Sequence, residues 1–271
     1  MIDKQIIIIT LLTSFIIYLL YPYLKKQNLE PFEQNEEMRA FIINMDKNPE
    51  RYKATLYNYN QTDLTAVKVE RFSAVDGKKV DINEWLTEEA IEELKEVEKN
   101  SYRTKHYQLT RGGIGCFLSH YSLAKQLLSD NSVKYYLILE DDLRFDYDTY
   151  SQIVKSIENA PENWHYLAYG YVRSKGVPES NYFNKLIGYW GTQGYVINKE
   201  GARILVNEVE KNKIDGQIDA YISRLSQQNK MNIYGYYTPI IVSDGLTTDI
   251  QVPIEIGDSE SDAFNFRGYS V

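Results

Sequence analysis

The segment Tyr135–Leu139 constrains the fold more than any other part of this chain, because five consecutive aromatic and aliphatic residues lead directly into Glu140, Asp141 and Asp142. An unbroken apolar run of this length is typical of a strand that is buried on both faces, as in a parallel sheet covered by helices. In open α/β sheets, ligands bind beyond the carboxyl ends of the strands. The sequence therefore predicts a buried strand of an α/β fold with three carboxylates at its ligand-binding end.

Three adjacent carboxylates at the end of a buried strand need a counter-charge. Two unit charges about 4 Å apart repel by roughly 1 kcal/mol in water and by roughly 4 kcal/mol at an effective dielectric constant of about 20. Mg²⁺ and Mn²⁺ prefer carboxylate oxygens, usually together with the phosphate oxygens of a substrate. The triplet therefore suggests a site for a metal ion and a diphosphate, and a solvated acidic turn is the alternative that it leaves open.

Size and charge restrict the function further. The 271 residues are enough for one large α/β domain, and 43% of them are hydrophobic, so a packed core is expected. A net charge of -8 argues against a nucleic-acid-binding protein, which needs a basic face. An anionic nucleotide substrate stays possible because a metal ion supplies positive charge. Cys116 is the only cysteine, which excludes an internal disulfide, and its apolar neighbours predict a small buried side chain.

The amino-terminal segment 5–24 contains no charged residue and is flanked by Lys4 and by Lys25-Lys26. Twenty helical residues span about 30 Å, the thickness of a hydrocarbon core. We therefore expect a single transmembrane anchor at 5–24 and a membrane location, with a buried amino-terminal helix or a cleaved signal peptide as alternatives. The count of flanking basic residues does not choose the side of the membrane. Residues 25–38 are predicted to form a polar stem, 39–250 the globular domain and 251–271 an irregular tail.

Strand-like and helix-like patterns alternate along the predicted domain. A strand at 40–44 precedes a helix that begins at Pro49, with Asn48 as its N-cap. The acidic stretch 81–99 is predicted to be helical, and 112–128 to be an apolar helix. The glycines within 186–197 indicate a bent ribbon or hairpin. The alternation predicts an α/β fold with a mostly parallel sheet flanked by helices.

Several motifs then occur in a recognisable order. They are F-I-I-N at 41–44 followed by Arg51, R-F-S-A-V-D-G at 71–77, L-T-R-G-G-I-G-C-F-L-S-H at 109–120, L-I-L-E-D-D at 137–142, and G-T-Q-G-Y-V-I at 191–197. This set resembles glycosyltransferase family 25, which includes lipopolysaccharide sugar transferases and procollagen galactosyltransferases. The resemblance covers roughly residues 39 to 250, and the third and fourth motifs, about twenty residues apart, are its most specific part.

The resemblance implies a GT-A-like nucleotide-diphospho-sugar transferase fold. It also implies inverting transfer of galactose or glucose from a UDP-hexose donor to a hydroxyl of a glycan or of a glycosylated or hydroxylated protein. A Mn²⁺ or Mg²⁺ ion would bridge the two phosphates of the departing UDP and stabilise their developing charge. One departure is visible, because the family commonly has a glutamate where this chain has Gly113.

The resemblance also assigns candidate site residues. In the acidic triplet, which takes the place of a D-x-D metal motif, Asp142 is the favoured direct metal ligand, with Glu140 as its partner and Asp141 in an orienting or water-mediated role. Candidates for binding the donor nucleotide or its metal are Asn44, Arg51, Asp76, Ser119, His120, Glu140, Asp141 and Tyr195. Three of these have simpler alternatives, since Asp76 suits a turn, Tyr195 an ordinary strand position and His120 a hydrogen-bonded structural role.

An inverting transfer needs a general base for the acceptor hydroxyl. The candidates are Asp219 and Asp215, of which Asp219 is favoured, with a helix cap for Asp215 and a surface position for Asp219 as alternatives. Ser119 and His120 are adjacent in a predicted helix and therefore do not face each other, which argues against a Ser–His hydrolase.

Two other functions stay open on the sequence. A catalytically silent glycan-binding or adhesion module on the same fold would keep the motifs without the reaction. A nucleotidyltransferase would need a lysine or arginine grip on a triphosphate, and no such grip is obvious in the acidic chain.

Overall fold

The computed structural model describes residues 35–245 and 252–254 and is organised around an eight-stranded sheet. The strands are β1 (Met38–Asn44), β2 (Lys68–Ser73), β3 (Tyr135–Leu139), β4 (Leu143–Phe145), β5 (Tyr166–Gly170), β6 (Arg173–Pro178), β7 (Phe183–Trp190), β8 (Gly194–Asn198), β9 (Ile233–Tyr236) and β10 (Ile241–Ser243). The helices are α1 (Pro49–Asn60), α2 (Ile82–Trp85), α3 (Glu88–Asn100), α4 (Arg111–Ser129), α5 (Thr149–Glu158), α6 (Lys199–Asn212) and α7 (Ile218–Gln227), with a 3₁₀ turn at Asp63–Ala66.

The sheet is mixed, and most of its strands run in one direction. Its order is β2-β1-β3-β8-β5-β9-β7-β6, and β10 pairs with β4 in a separate ribbon. The neighbours β1–β2, β1–β3 and β5–β9 are parallel, whereas β8 and β7 run antiparallel to both of their neighbours. The α/β class is confirmed, and the mostly parallel sheet holds for strand direction. Because β1, β2 and β3 are mutually parallel, their carboxyl ends meet at one edge.

Strand β3 is buried on both faces, as its apolar run predicts. Tyr136 and Ile138 face a core that includes side chains of α3, α4, α6 and α7. Leu137 and Leu139 face the opposite core, which includes side chains of α1 and α5. All four are fully buried, and each such side chain contributes about 1.5–3 kcal/mol relative to an exposed one. This burial fixes the direction in which Glu140, Asp141 and Asp142 leave the sheet.

One local prediction is confirmed and another is wrong. The stretch 81–99 is helical, and it forms two helices because Leu86 forms a bridge to Ile214 and Thr87 caps the second helix by accepting a hydrogen bond from the Ala90 N–H at 3.2 Å. The segment 186–197 is not a hairpin. It contains parts of β7 and β8, which β5 and β9 separate in the sheet, and Gly191 turns the chain between them with φ = 87°.

The prediction of a membrane location is corrected by the structure. Within residues 35–245 and 252–254, no helix has both the length and the apolar character needed to cross a bilayer. The longest helix of this part, α4, has 19 residues but includes Arg111, His120 and Lys125. The segment 5–24, on which the anchor was predicted, lies outside the described residues.

Candidate functional site

A cleft opens where β1, β2 and β3 end at the shared carboxyl edge of the sheet. Its volume is about 210 Å³. Its lining comes from residues 140–142 after β3, from the first part of α4, and from the loop 74–78 that follows β2 and packs against α4. Of the sequence-predicted site residues, the structure brings Arg51, Asp76, Ser119, His120, Glu140, Asp141 and Asp142 to this cleft.

The G-I-G-C-F-L-S-H motif lies on α4, and residues four apart in it form two pairs with different roles. Gly115 and Ser119 hold the loop 74–78. A Cβ atom on Gly115 would lie 2.3 Å from the Val75 carbonyl oxygen, so the loop reaches the helix only because this side chain is absent. The Ser119 hydroxyl accepts a hydrogen bond from the Val75 N–H at 2.9 Å and donates one to the Gly115 carbonyl at 2.7 Å.

The second pair, Cys116 and His120, faces the cleft. His120 is 1% exposed, and its Nδ1 lies 2.8 Å from the Tyr195 hydroxyl. Its Nε2 is buried and has no hydrogen-bond partner in the part of the chain that the structure describes. Burial lowers the pKa of His120 to about 3, so the ring is neutral at physiological pH. Burial and the nearby Glu140 raise the pKa of the Cys116 thiol.

Tyr195 lies beneath this pair and not on the cleft surface. It is 1% exposed, and its ring stacks on that of Tyr166 with centroids 4.3 Å apart. Its position therefore matches the alternative of a buried strand tyrosine, and its visible connection to the cleft is the hydrogen bond to His120.

Asp141 is saturated by neighbouring side chains. Its Oδ1 accepts hydrogen bonds from Arg51 Nε at 2.8 Å and Nη2 at 2.6 Å, and its Oδ2 accepts one from Asn44 Nδ2 at 2.6 Å. Asn44 is 1% exposed and also donates to the Asn48 carbonyl, so it supports the loop after β1. These three residues form a buried polar junction between β1, α1 and β3.

Asp142 and Glu140 keep capacity for a ligand. Asp142 Oδ2 accepts a hydrogen bond from the Ser243 hydroxyl at 3.1 Å, while Oδ1 is buried without a partner among the described residues. Glu140 Oε1 accepts a hydrogen bond from the Thr192 hydroxyl at 3.0 Å. Burial, followed by repulsion from Asp142, raises the pKa of Glu140 to about 7. An unpartnered buried carboxylate oxygen beside a second carboxylate that resists ionisation fits a hard divalent cation, which would relieve both penalties.

The two base candidates lie outside the residues that line the cleft. Asp219, in the first turn of α7, accepts hydrogen bonds from the Gly191 N–H at 2.9 Å and from the Ala220 N–H at 2.8 Å. Burial nevertheless raises the pKa of Asp219. Asp215 precedes the helix and pairs with Arg224, both largely buried. The alternative of a helix cap for Asp215 is wrong, because Gln217 occupies the N-cap position.

Sequence reasoning missed the basic side of the cleft. Lys47, Lys78 and Arg111 line it together with Arg51. Lys78 directly follows the D-G turn, and Arg111 directly precedes the glycines of the α4 motif, so their positions beside motif residues were the available signal. The acidic sequence did not make these basic side chains obvious, and two of them, Arg51 and Arg111, are paired with Asp141 and Glu98.

Parallel strands that end at one edge, with carboxylates on the floor and cationic side chains on the walls, define an α/β protein with a polar ligand-binding cleft in the position usual for this class. The family model "Glycosyltransferase family 25 (LPS biosynthesis protein)" matches residues 38–222. The chain therefore belongs to glycosyltransferase family 25, as its motifs predict.

Curated relatives agree with this assignment. Procollagen galactosyltransferase 2 of Homo sapiens is 34% identical over 178 residues, which are 61% of this chain and 27% of that protein. A glycosyltransferase 25 family member of Drosophila melanogaster is 33% identical over 172 residues, 60% of this chain and 27% of that protein. The chain thus spans about a quarter of the length of these relatives.

Solved structures provide more distant similarities. One is a glycosyltransferase involved in glycosylation of the major capsid of PBCV-1, with a TM-score of 0.42 and 9% identity over 78% of this chain and 94% of that chain. Another is mouse xyloside xylosyltransferase 1, with a TM-score of 0.40 and 12% identity over 80% of this chain and 87% of that chain. Both are too distant to bear on function.

Proposed function

We propose that this chain transfers a hexose, galactose or glucose, from a UDP-sugar to a hydroxyl group of a glycan or of a glycosylated or hydroxylated protein, with inversion and with the help of a divalent cation. The observation that carries the proposal is Asp142, which lines the cleft beside Glu140 and whose buried Oδ1 has no hydrogen-bond partner among the described residues. Membership of family 25 supports the same reaction class.

Asp142 and Glu140 are the residues that would hold a Mn²⁺ or Mg²⁺ ion. When bound, such an ion supplies positive charge to the diphosphate leaving group. Asp141 is less suited to direct ligation, because three hydrogen bonds from Arg51 and Asn44 already occupy both of its oxygens, and its proposed role is to hold the strand end and to keep Arg51 beside the cleft.

The walls of the cleft suit the phosphates of the donor. Arg111 is the first residue of α4 and lines the cleft; its Nε donates to Glu98 at 2.7 Å, and the positive end of the helix dipole lies beside its guanidinium. Lys78 also lines the cleft, in the loop that Ser119 holds against the helix. Asp76 belongs to the same loop and is placed to accept hydrogen bonds from a ribose or a base.

Asp219 is the better candidate for the general base. Asp215 is paired with Arg224, whereas Asp219 accepts hydrogen bonds from backbone N–H groups and has a pKa that burial raises despite the nearby charge of Arg103, which suits a group that must accept a proton. Gly191, which donates to Asp219, is followed by Thr192, which donates to Glu140. The two carboxylates are therefore tied to one turn of the chain, close to the floor of the cleft.

The family glutamate that is missing at Gly113 does not weaken the cleft. A Cβ atom at this position would lie 3.4 Å from the Thr110 hydroxyl and 3.7 Å from Gln217, and Gly113 is not among the residues that line the cleft. The substitution therefore changes the contact between α4 and the start of α7, and it gives no support to a catalytically silent module.

Release of UDP from UDP-galactose and UDP-glucose, with and without Mn²⁺, tests the proposal. We expect Mn²⁺-dependent release that falls by at least about 100-fold in Asp142→Asn, as for loss of one electrostatic contact to a transition state. The matched control is Asp244→Asn, because Asp244 directly follows β10 and its carboxylate pairs with Arg144. UDP release by Asp142→Asn at the parental rate would overturn the metal assignment, and metal-independent glycan binding without any affinity for UDP would overturn the enzyme.

A further inference from the structure

Cys116, His120 and Glu140 form a cluster that the proposed reaction does not use as a unit. Each offers one possible ligand atom, and these atoms lie within 4.8 Å of one another. Cys116 and His120 are four residues apart on α4 and therefore share a helix face, and Glu140 leaves the end of β3 toward them. All three line the cleft.

This donor set differs in chemistry from the Glu140–Asp142 pair. Carboxylate oxygens suit Mg²⁺ and Mn²⁺, whereas a thiolate and an imidazole prefer softer ions, of which Zn²⁺ is the most common in proteins. The ligand atoms of a tetrahedral Zn²⁺ ion, with bonds of about 2.0–2.3 Å, lie about 3.3–3.6 Å apart. Ligand atoms that lie up to 4.8 Å apart therefore need to approach one another by at most about 1.2–1.5 Å when the ion binds.

His120 gives an independent indication of a ligand. It is 1% exposed, and its Nε2 has no hydrogen-bond partner within residues 35–245 and 252–254, which is uncommon for a buried ring nitrogen. Its Nδ1 lies 2.8 Å from the Tyr195 hydroxyl, so the ring is held by its other nitrogen, as metal-ligating histidines usually are. The geometry thus leaves Nε2 available on a fixed ring.

We propose that Cys116 Sγ, His120 Nε2 and a Glu140 carboxylate oxygen form a site for Zn²⁺ or a similar borderline-soft divalent ion. The Cys116 thiol releases its proton to solvent as the sulfur–metal bond forms, and a water completes the coordination. Because Glu140 is shared with the pair that would hold the donor's hard cation, Zn²⁺ at this site competes with Mn²⁺ and inhibits transfer. This last consequence rests on the proposed function, whereas the binding itself does not.

Co²⁺, a spectroscopic substitute for Zn²⁺, tests the site on the full chain. A cobalt–thiolate bond gives a near-ultraviolet charge-transfer band, and Cys116 is the only thiol in the sequence. We expect a band that saturates at one equivalent of Co²⁺, is lost in Cys116→Ser, falls in Glu140→Gln and is bleached by Zn²⁺. Asp142→Asn is the matched control and should keep the band, because its carboxylate belongs to the other site.

Two outcomes would overturn the site. One is the absence of a band in the wild-type chain at millimolar Co²⁺. The other is a band of equal affinity in both Glu140→Gln and His120→Gln, which would place the thiolate-bound ion elsewhere; circular dichroism of each variant verifies that it is folded. If the wild-type chain shows Mn²⁺-dependent UDP release but no cobalt band, this site alone is refuted. If the wild-type chain shows the cobalt band but no UDP release, the proposed function alone is refuted. The competition between Zn²⁺ and Mn²⁺ is tested in Cys116→Ser, in which Zn²⁺ should no longer inhibit UDP release.

Discussion

Asp141 and Asp142 are adjacent in the sequence, yet the structure gives them opposite roles, and this difference is measurable as stability. In Asp141→Asn, the guanidinium of Arg51 loses a charged partner that accepts two of its hydrogen bonds. The new amide also places an N–H group either against Arg51 or against the Asn44 Nδ2, and both of these are donors. The substitution therefore leaves donors facing donors in a buried junction.

The magnitude follows from burial. Removing one partner of a buried ion pair costs about 3–5 kcal/mol. Here the Arg51 side chain is 22% exposed, and its Nη2 keeps Asp142 Oδ2 at 3.4 Å as a second carboxylate partner, so the cost falls toward about 2–3 kcal/mol. A domain of this size loses about 2–4 °C in Tm per kcal/mol, which gives a decrease of about 4–12 °C. For Asp142→Asn we expect a change within about 1 kcal/mol, since the amide oxygen still accepts from Ser243 and the repulsion with Glu140 disappears.

Urea denaturation of both variants in EDTA, followed by circular dichroism, provides the measurement, because chelation removes any contribution from a bound ion. The midpoint should fall in Asp141→Asn at an unchanged m-value and stay near the wild-type midpoint in Asp142→Asn. Equal destabilisation of the two variants, or a larger loss in Asp142→Asn, would refute the division of roles. It would also remove the structural reason for considering Asp141 less suited to direct metal ligation.

Three further predictions address the helix, the pH dependence and the base. Gly115→Ala should destabilise the protein by about 1–3 kcal/mol in the same denaturation assay, because its Cβ would lie 2.3 Å from a loop carbonyl. The control is Gly113→Ala on the same helix, which should be neutral or slightly stabilising because the nearest neighbour of its Cβ would lie at 3.4 Å. The pKa of Glu140 is raised from 4.5 to about 7 in the folded protein, which therefore binds this proton more tightly than the unfolded chain and loses stability as pH rises from 4.5 to 7. Glu140→Gln lacks this proton, so its Tm in EDTA should rise relative to the wild-type Tm over the same pH range. A Tm difference between the two proteins that does not change with pH would contradict the pKa shift. Asp219→Asn should abolish sugar transfer while UDP affinity by calorimetry persists, whereas Asp215→Asn should chiefly lower the Tm, and the reverse pattern would exchange their roles.

The sequence predicts the strands and helices well where burial decides them. The apolar run of β3 is sufficient to predict this strand, because a strand that is buried on both faces has no polar position. Strand β6, R-S-K-G-V-P, is exposed along its whole length at the edge of the sheet, so it carries no hydrophobic pattern to detect. The hairpin expected within 186–197 fails for another reason. Glycines predict the turn at Gly191, but the partners of β7 and β8 are set by long-range pairing that no local pattern contains.

The site follows the same division between local and long-range information. The acidic triplet predicts the floor of the cleft, but it does not tell which carboxylate is saturated, because the partners of Asp141 come from residues about 90 positions away. Cys116 illustrates the reverse case. Its immediate neighbours are apolar and suggest a buried side chain, yet the spacing to His120 places it on the helix face that lines the cleft. The four-residue periodicity was the better signal.

The contact between α4 and the loop 74–78 is made by the backbones of the two segments. Gly77 and Gly115 meet there from the two sides: a Cβ atom on Gly77 would lie 1.8 Å from the Arg111 carbonyl oxygen, and one on Gly115 would lie 2.3 Å from the Val75 carbonyl oxygen. Since Asp76 and Lys78 flank Gly77, and Arg111 begins the helix, this contact holds the loop that carries Asp76 and Lys78 against the start of α4. The backbone that carries these groups is therefore positioned before a ligand arrives, which lowers the cost of ordering it on binding.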